Sequence, residues 1–205
     1  MTILDSPFRT RQQKEEEREA KRHAVLRGAV RMFNERGFHA TSLEDVAASL
    51  GISKPTIYHY LGNKDQVLLE CVSIGLGQLL EAAASARAMP GPGLERLKIF
   101  LRHYAEVTMD DFGRCVIRSG EEALTPDSRR RFRDLKRDID AAMRGLIEEG
   151  IADGSIAPLD PKLLAFALAG ALNWPARWHK ADGPQPPERL AEQMVDLLSS
   201  GFAPR

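Results

Sequence analysis

Lys54, Pro55, Thr56, Tyr58, His59 and Tyr60 set a cation, hydroxyl and phenol donors and an imidazole within one short stretch. No Asp or Glu occurs from Ile52 to Lys64. Donors and cations without a carboxylate suit a polyanionic partner, because an acid turned toward phosphate oxygens repels them. Other chemistry is harder to assemble. Cys115 and His103 could serve as nucleophile and base of a hydrolase, but no orienting third group, Gly-rich phosphate loop or metal-ligand cluster accompanies them. The chain therefore reads as a non-enzyme without a cofactor. Its two cysteines, Cys71 and Cys115, offer no disulfide framework and suit reduced side chains on apolar helix faces.

The elements that must position the 54–60 stretch read at the helical period, and no segment alternates like a strand, so the fold class is all-α. A first helix places Leu26, Ala29, Val30 and Phe33 on one face and stops at Gly37. A second carries Leu43, Val46, Ala47 and Leu50 and stops at Gly51, with two overlapping capping boxes, Thr41/Glu44 and Ser42/Asp45. Ser53 caps a short third helix with Lys54 and Pro55 in its first turn, Ile57 and Leu61 inward, and Gly62 at its end. Thr56, Tyr58, His59 and Tyr60 then fall on its outer face. Two helices joined by a Gly-containing turn make a helix-turn-helix, whose second helix enters the major groove of DNA.

Asn63 with Gln66 opens a long fourth helix running to about Ala88, and Met89-Pro90-Gly91-Pro92-Gly93 breaks it. Helices are predicted beyond it at about 94–109, 114–122, 126–149, 160–180 and 187–201, giving about nine. Pro175 should kink or restart the 160–180 helix. The domains expected are an arm or helix start at 1–20, a DNA-binding domain at 21–80 with its motif at about 42–61, and a C-terminal domain at 81–205.

The charge balance is neutral, with 29 Lys+Arg against 29 Asp+Glu, so composition alone does not point to nucleic acid. Residues 1–65 hold 11 basic against 9 acidic side chains, a weak asymmetry. The longest apolar run, Leu163–Leu172, is half of the roughly 20 residues a bilayer span needs. A soluble, cytoplasmic protein without a membrane partner is expected.

The stretches Gly37-Phe38-His39-Ala40-Thr41-Ser42-Leu43-Glu44-Asp45-Val46-Ala47, Leu50-Gly51-Ile52-Ser53-Lys54-Pro55-Thr56-Ile57-Tyr58-His59-Tyr60 and Asn63-Lys64-Asp65 resemble the N-terminal signature of the TetR family of bacterial regulators. The resemblance spans about residues 20–75. It implies phosphate contacts from Thr41 or Ser42, phosphate or sugar contacts from Tyr58 and Tyr60, base-edge or phosphate contacts from Lys54, Pro55, Thr56 and His59, and a phosphate contact from Lys64. Leu61 stands where the family commonly has Phe, and Gly62 where it often has a polar residue. Read as residues alone, Tyr58 also fits a core aromatic, His59 an exposed histidine without a role, and Lys64 a solvated lysine.

A single recognition helix reads too few bases, so a homodimer on palindromic operator DNA is expected. The candidate interface is Leu164, Leu168 and Leu172 with Leu190, Met194, Leu197 and Leu198, two helices per subunit in a four-helix bundle. The alternative is that the helix of Leu163–Leu172 is the monomer's own core. A small-molecule effector that releases the DNA needs a cavity, for which Phe100, His103, Tyr104, Val107, Phe112, Cys115, Phe132, Leu135, Ile139, Phe166, Asn173, Trp174 and Trp178 are candidates. Most of these suit a plain core equally well. The segment 111–179 also resembles, more loosely, a TetR subgroup that senses acyl-CoA or related lipid effectors, which implies Arg114, Arg118 and Arg177 as anion partners. The competing class is a helical adaptor that binds only protein.

Overall fold

The computed structural model describes residues 10–180 and 182–201. Of the arm expected at 1–20, residues 1–9, with Arg9, lie outside the described residues. The described residues form ten α-helices and one 3₁₀ turn, with no strand among them. Counting the short Pro175–Trp178 turn with the helix it continues gives the expected nine. The chain divides into two units between Val67 and Leu68.

In the first unit, α1 (Arg11–Arg36), α2 (Leu43–Leu50) and α3 (Lys54–Leu61) each pack on the other two. Their shared core is the predicted one: Leu26, Ala29, Val30 and Phe33 meet Leu43, Val46, Ala47, Ile57 and Leu61, all buried. Leu50 departs from its expected inward place and is 39% exposed. Its methyl groups lie over bare backbone at Gly28, where an added Cβ would stand 2.9 Å from Leu50 Cδ2. Of the two possible capping boxes, Ser42/Asp45 forms: the Ser42 hydroxyl accepts from the Asp45 N–H at 3.0 Å. The Asp45 carboxylate accepts from the Ser42 N–H at 2.9 Å. Gly51 takes φ 65°, the left-handed turn that re-aims the chain from α2 into α3. Asn63 and Gln66 exchange backbone-to-side-chain bonds at 2.9 Å and start α4 (Lys64–Ala88).

In the second unit, α5 (Gly93–Met109) is central, touching α6 (Asp111–Ser119), α7 (Pro126–Ala152), α8 (Pro161–Asn173), α9 (Pro175–Trp178) and α10 (Pro187–Ser199). Phe100, Leu97, Leu101, Leu146, Ile147, Leu168, Leu172 and Val195 make its core. Pro92 cannot cap α5 with a side chain. The orphan N–H groups are met from far along the chain, Gly93 donating to Asp153 at 2.6 Å and Leu94 to the Ser155 hydroxyl at 2.9 Å. That approach requires small residues, since a Cβ on Gly93 would fall 2.4 Å from the Gly150 Cα.

One boundary differs from the sequence reading and one break meets it. α6 starts at Asp111 rather than near Arg114, because Asp110 caps it by accepting from the Gly113 N–H at 2.7 Å. The 160–180 helix ends at Asn173 and restarts at Pro175, whose missing N–H breaks the ladder. By length and composition alone α4 also carries an 18-residue window apolar enough to cross a bilayer, longer than the run at 163–172.

Candidate nucleic-acid interface and effector cavity

On α3, the 3.6-residue period separates two jobs. Ile57 and Leu61 are buried against α1 and α2, while Lys54, Pro55, Tyr58 and His59 are exposed and Thr56 and Tyr60 half-buried. The Ser53 hydroxyl accepts from the Thr56 N–H at 3.3 Å and lies 2.7 Å from the Thr56 hydroxyl, which fixes the first turn. The His59 and Tyr60 rings meet edge to face, 5.4 Å between centroids. Tyr58 is 40% exposed, which sets aside the core-aromatic alternative.

Sequence reasoning missed Glu44. This α2 side chain sits beside the acid-free face of α3, accepting from Lys54 Nζ at 2.8 Å and from the Tyr58 hydroxyl at 2.9 Å. Lys54 Nζ also stands 5.9 Å from the Tyr58 ring centroid. The hydrogen bond from Lys54, then that from Tyr58, holds the Glu44 carboxyl down at about 2. The same contacts push the Lys54 ammonium and the Tyr58 phenol up.

Two other expected contacts are turned inward. Thr41 is 2% exposed and its hydroxyl donates to the Gly37 carbonyl at 3.0 Å, leaving half-buried Ser42 as the hydroxyl at the start of α2. Lys64 donates from Nζ to the Phe38 carbonyl and lies 4.3 Å from the Phe38 and 5.7 Å from the Phe33 ring centroid. It is neither a plain solvated lysine nor free for phosphate in this state, and burial pulls its ammonium pKa down.

The second unit holds a half-open cavity of about 260 Å³. Of the sequence candidates, Tyr104, Val107, Phe132 and Asn173 line it, whereas Cys115 and Leu135 do not. The Tyr104 hydroxyl donates to Asn173 Oδ1 at 3.1 Å, and burial pushes the phenol up to about 12, so it stays a neutral donor. Val72, Gly75, Leu76 and Leu79 of α4 form one wall, with Thr108, Val116, Ile117, Glu121 and Lys136 among the others. The α4 contribution was legible as an i, i+4, i+7 apolar set, though a core would show the same spacing. Glu121 pairs with Arg133 at 2.9 Å, which lowers its carboxyl pKa. Arg129 donates to the carbonyls of Glu121, Glu122 and Leu124, pinning the 3₁₀ turn Glu121–Ala123 beside the cavity.

The remaining candidates lie elsewhere. Phe100 and Ile139 fill the core and Phe112 is buried off the cavity wall, whereas Phe166, Trp174 and Trp178 are exposed. His103 is exposed, 3.6 Å from Glu106. Of the anion partners, Arg118 is exposed, Arg177 reaches the Ile117 carbonyl at 3.4 Å, and Arg114 donates to the Met109 carbonyl at 2.9 Å. The hydrolase pair is not assembled. Cys115 is buried beside Ser119, with its Sγ 3.8 Å from that hydroxyl, and hydrogen bonding to Cys115 together with burial pushes the Cys71 thiol up.

The expected dimer residues divide. Leu168, Leu172 and Leu190 belong to the subunit's own core, a correction to their placement at an interface; Leu164, Met194 and Leu198 pack partly against that core. Leu197 is 76% exposed. The free face of α8 carries Leu163, Phe166, Ala167 and Gly170 instead, an i, i+3, i+4, i+7 stripe open to solvent. The alternative that this helix is the monomer's own core holds for Leu168 and Leu172.

This geometry has counterparts. Residues 25–71 match the model described as bacterial regulatory proteins, tetR family, and residues 90–202 match the tetracyclin repressor-like C-terminal domain. The chain belongs to the TetR family. The transcriptional repressor KstR2 of Mycolicibacterium smegmatis is 27% identical over 200 residues, covering 89% of this chain and 91% of its own. The TetR regulator PfmR of Thermus thermophilus superposes with a TM-score of 0.78 at 30% identity, covering 85% of this chain and 96% of its own. AibR, solved with isovaleryl coenzyme A and operator DNA, superposes at 0.74 with 25% identity, covering 86% of this chain and 96% of its own. As a TetR-family chain this is a DNA-binding transcriptional regulator, with an all-α helix-turn-helix unit followed by a helical C-terminal unit.

Proposed function

We propose that this regulator is a cytoplasmic homodimeric repressor that inserts α3 into the major groove of a palindromic operator and lets go when a small acyl compound fills the C-terminal cavity. The observation that carries the DNA half is the face of α3, which presents Lys54, Pro55, Thr56, Tyr58 and His59 outward, while Ile57 and Leu61 anchor it. Thr56 and His59 read base edges. Tyr60 bonds the backbone, and Tyr58, Ser42, Lys54 and Lys64 reach phosphate only by leaving their internal partners. The stripe Leu163, Phe166, Ala167 and Gly170 with Leu197 supports the dimer, since exposed contiguous apolar surface marks an interface. Catalysis finds no support in the separated Cys115 and His103.

The effector half rests on the cavity. Its roughly 260 Å³, walled mostly by apolar side chains, suits a short or branched acyl chain. Tyr104 donates its single O–H to a carbonyl oxygen by turning it away from Asn173 Oδ1, and Lys136 offers a cation for an anionic head. The isovaleryl coenzyme A carried by AibR points in the same direction.

Calorimetric titration of the intact protein with isovaleryl coenzyme A, a long-chain acyl coenzyme A and a cationic drug tests this half. Saturable binding of the first, weakened by Tyr104→Phe, is the expected result. Heat from none of the three acyl or cationic ligands overturns the effector reading and leaves the DNA reading standing.

A further inference from the structure

The interface carries a carboxylate where a DNA-binding surface has least use for one. Between Gly37 and Val67 the cations are Lys54 and Lys64 alone, and both are spoken for inside the unit. Lys54 is paired with Glu44 at 2.8 Å although 65% of its side chain is exposed, and Tyr58 donates to the same carboxylate at 2.9 Å. Lys64 is held by the Phe38 carbonyl and two rings. A lysine already neutralised by a carboxylate displaces no counterions from DNA, and the carboxylate itself repels the backbone. Non-specific affinity comes almost wholly from that counterion release, whereas a cognate site adds base contacts.

Resting on the DNA-binding role proposed above, we infer that Glu44 tempers backbone affinity: it keeps Lys54 and Tyr58 off the backbone of arbitrary DNA, where the protein would otherwise be held, and yields them only where the α3 base contacts offset the loss of the Glu44 cluster. Glu44 acts through Lys54 and Tyr58, and so positions them instead of reading DNA itself. Because its carboxyl is held at about 2, the cluster is charged across the physiological range and acts as a constant filter, not a pH switch.

The test is the salt dependence of binding to a random-sequence duplex, measured by fluorescence anisotropy on the full chain as wild type, Glu44→Gln, Glu44→Asp and Glu44→Gln/Lys54→Met. Gln keeps the shape and the acceptor for Tyr58 but removes the charge. With Glu44→Gln the slope of log K against log salt should steepen by about 0.9, one phosphate's worth. Random-duplex affinity should rise about three- to tenfold near 0.1 M salt, and operator affinity by at least as much, because wild type gives up the Glu44 cluster there. Adding Lys54→Met should return the slope to that of wild type. Asp, with its charge kept and its reach one methylene shorter, should fall between wild type and Gln. An unchanged Glu44→Gln slope, or a steepening that survives Lys54→Met, overturns the role of Glu44. Wild-type protein that binds no duplex at all overturns the DNA-binding reading beneath it.

Discussion

The two units place their working residues on opposite sides of the same helical period. In the first, the core is conventional and the interest lies outside, on the exposed face of α3 and the Glu44 cluster beside it. In the second, the exposed side chains Trp174 and Trp178 carry little of the proposed role, and the interest lies inside, in the space bounded by Tyr104, Phe132 and Asn173. The lesson is that a surface built for binding is written in which residues are there. A cavity is written in what is missing between them.

Substitutions should therefore split by unit. Phe100→Ala empties the centre of the second unit and should cost about 3–5 kcal/mol in urea unfolding, the range for a buried aromatic. A loss under about 1 kcal/mol would show that this interior is loosely packed and that the cavity boundary is ill-defined. Thr56→Ala and His59→Ala, by contrast, should leave unfolding nearly unchanged. Each should lower discrimination at one operator position by about 1–3 kcal/mol in competition binding. A uniform drop across all sequences would mark them as backbone contacts instead.

Gly51→Ala sharpens the comparison at the joint of the helix-turn-helix. An added Cβ meets nothing within 4 Å, so the expected loss of about 1–2 kcal/mol is backbone strain at φ 65° alone. The smallest effect concerns Glu44. Its folded pKa is depressed from 4.5 to about 2, so its contribution to stability is present above about pH 4.5 and is lost as pH falls toward 2. Thermal unfolding of wild type and Glu44→Gln should differ slightly at pH 7 and converge near pH 2; a gap that widens on acidification would contradict the pairing.

Legibility followed the same division. Leu26, Val30, Phe33, Val46, Ile57 and Leu61 were readable as core from spacing, and Ser53, Gly51 and Gly62 as punctuation, because each acts through its near neighbours in the chain. Glu44 was not readable as a partner of Lys54 and Tyr58, which lie ten and fourteen positions on and meet it only once α2 and α3 cross. Lys64 and Thr41 looked like surface donors and are turned inward by Phe38 and Gly37. In the second unit, Phe100 and Phe132 have the same residue type and comparable helical settings, yet one fills the core and the other lines the cavity. Periodicity assigns a face and not the volume opposite it. The free stripe of α8 was hidden for a related reason, since a helix apolar on every side gives no sign of which side its own subunit covers.

The central claim is that a pair of α3 helices reads a palindrome. Hydroxyl-radical footprinting of the DNA flanking the gene is its most direct test. Two half-sites with centres about 34–36 Å apart, one helical turn, should be protected, and that protection should be lost on Thr56→Ala/His59→Ala while the protein stays folded. Protection of no segment, or a single half-site indifferent to those two residues, would contradict it.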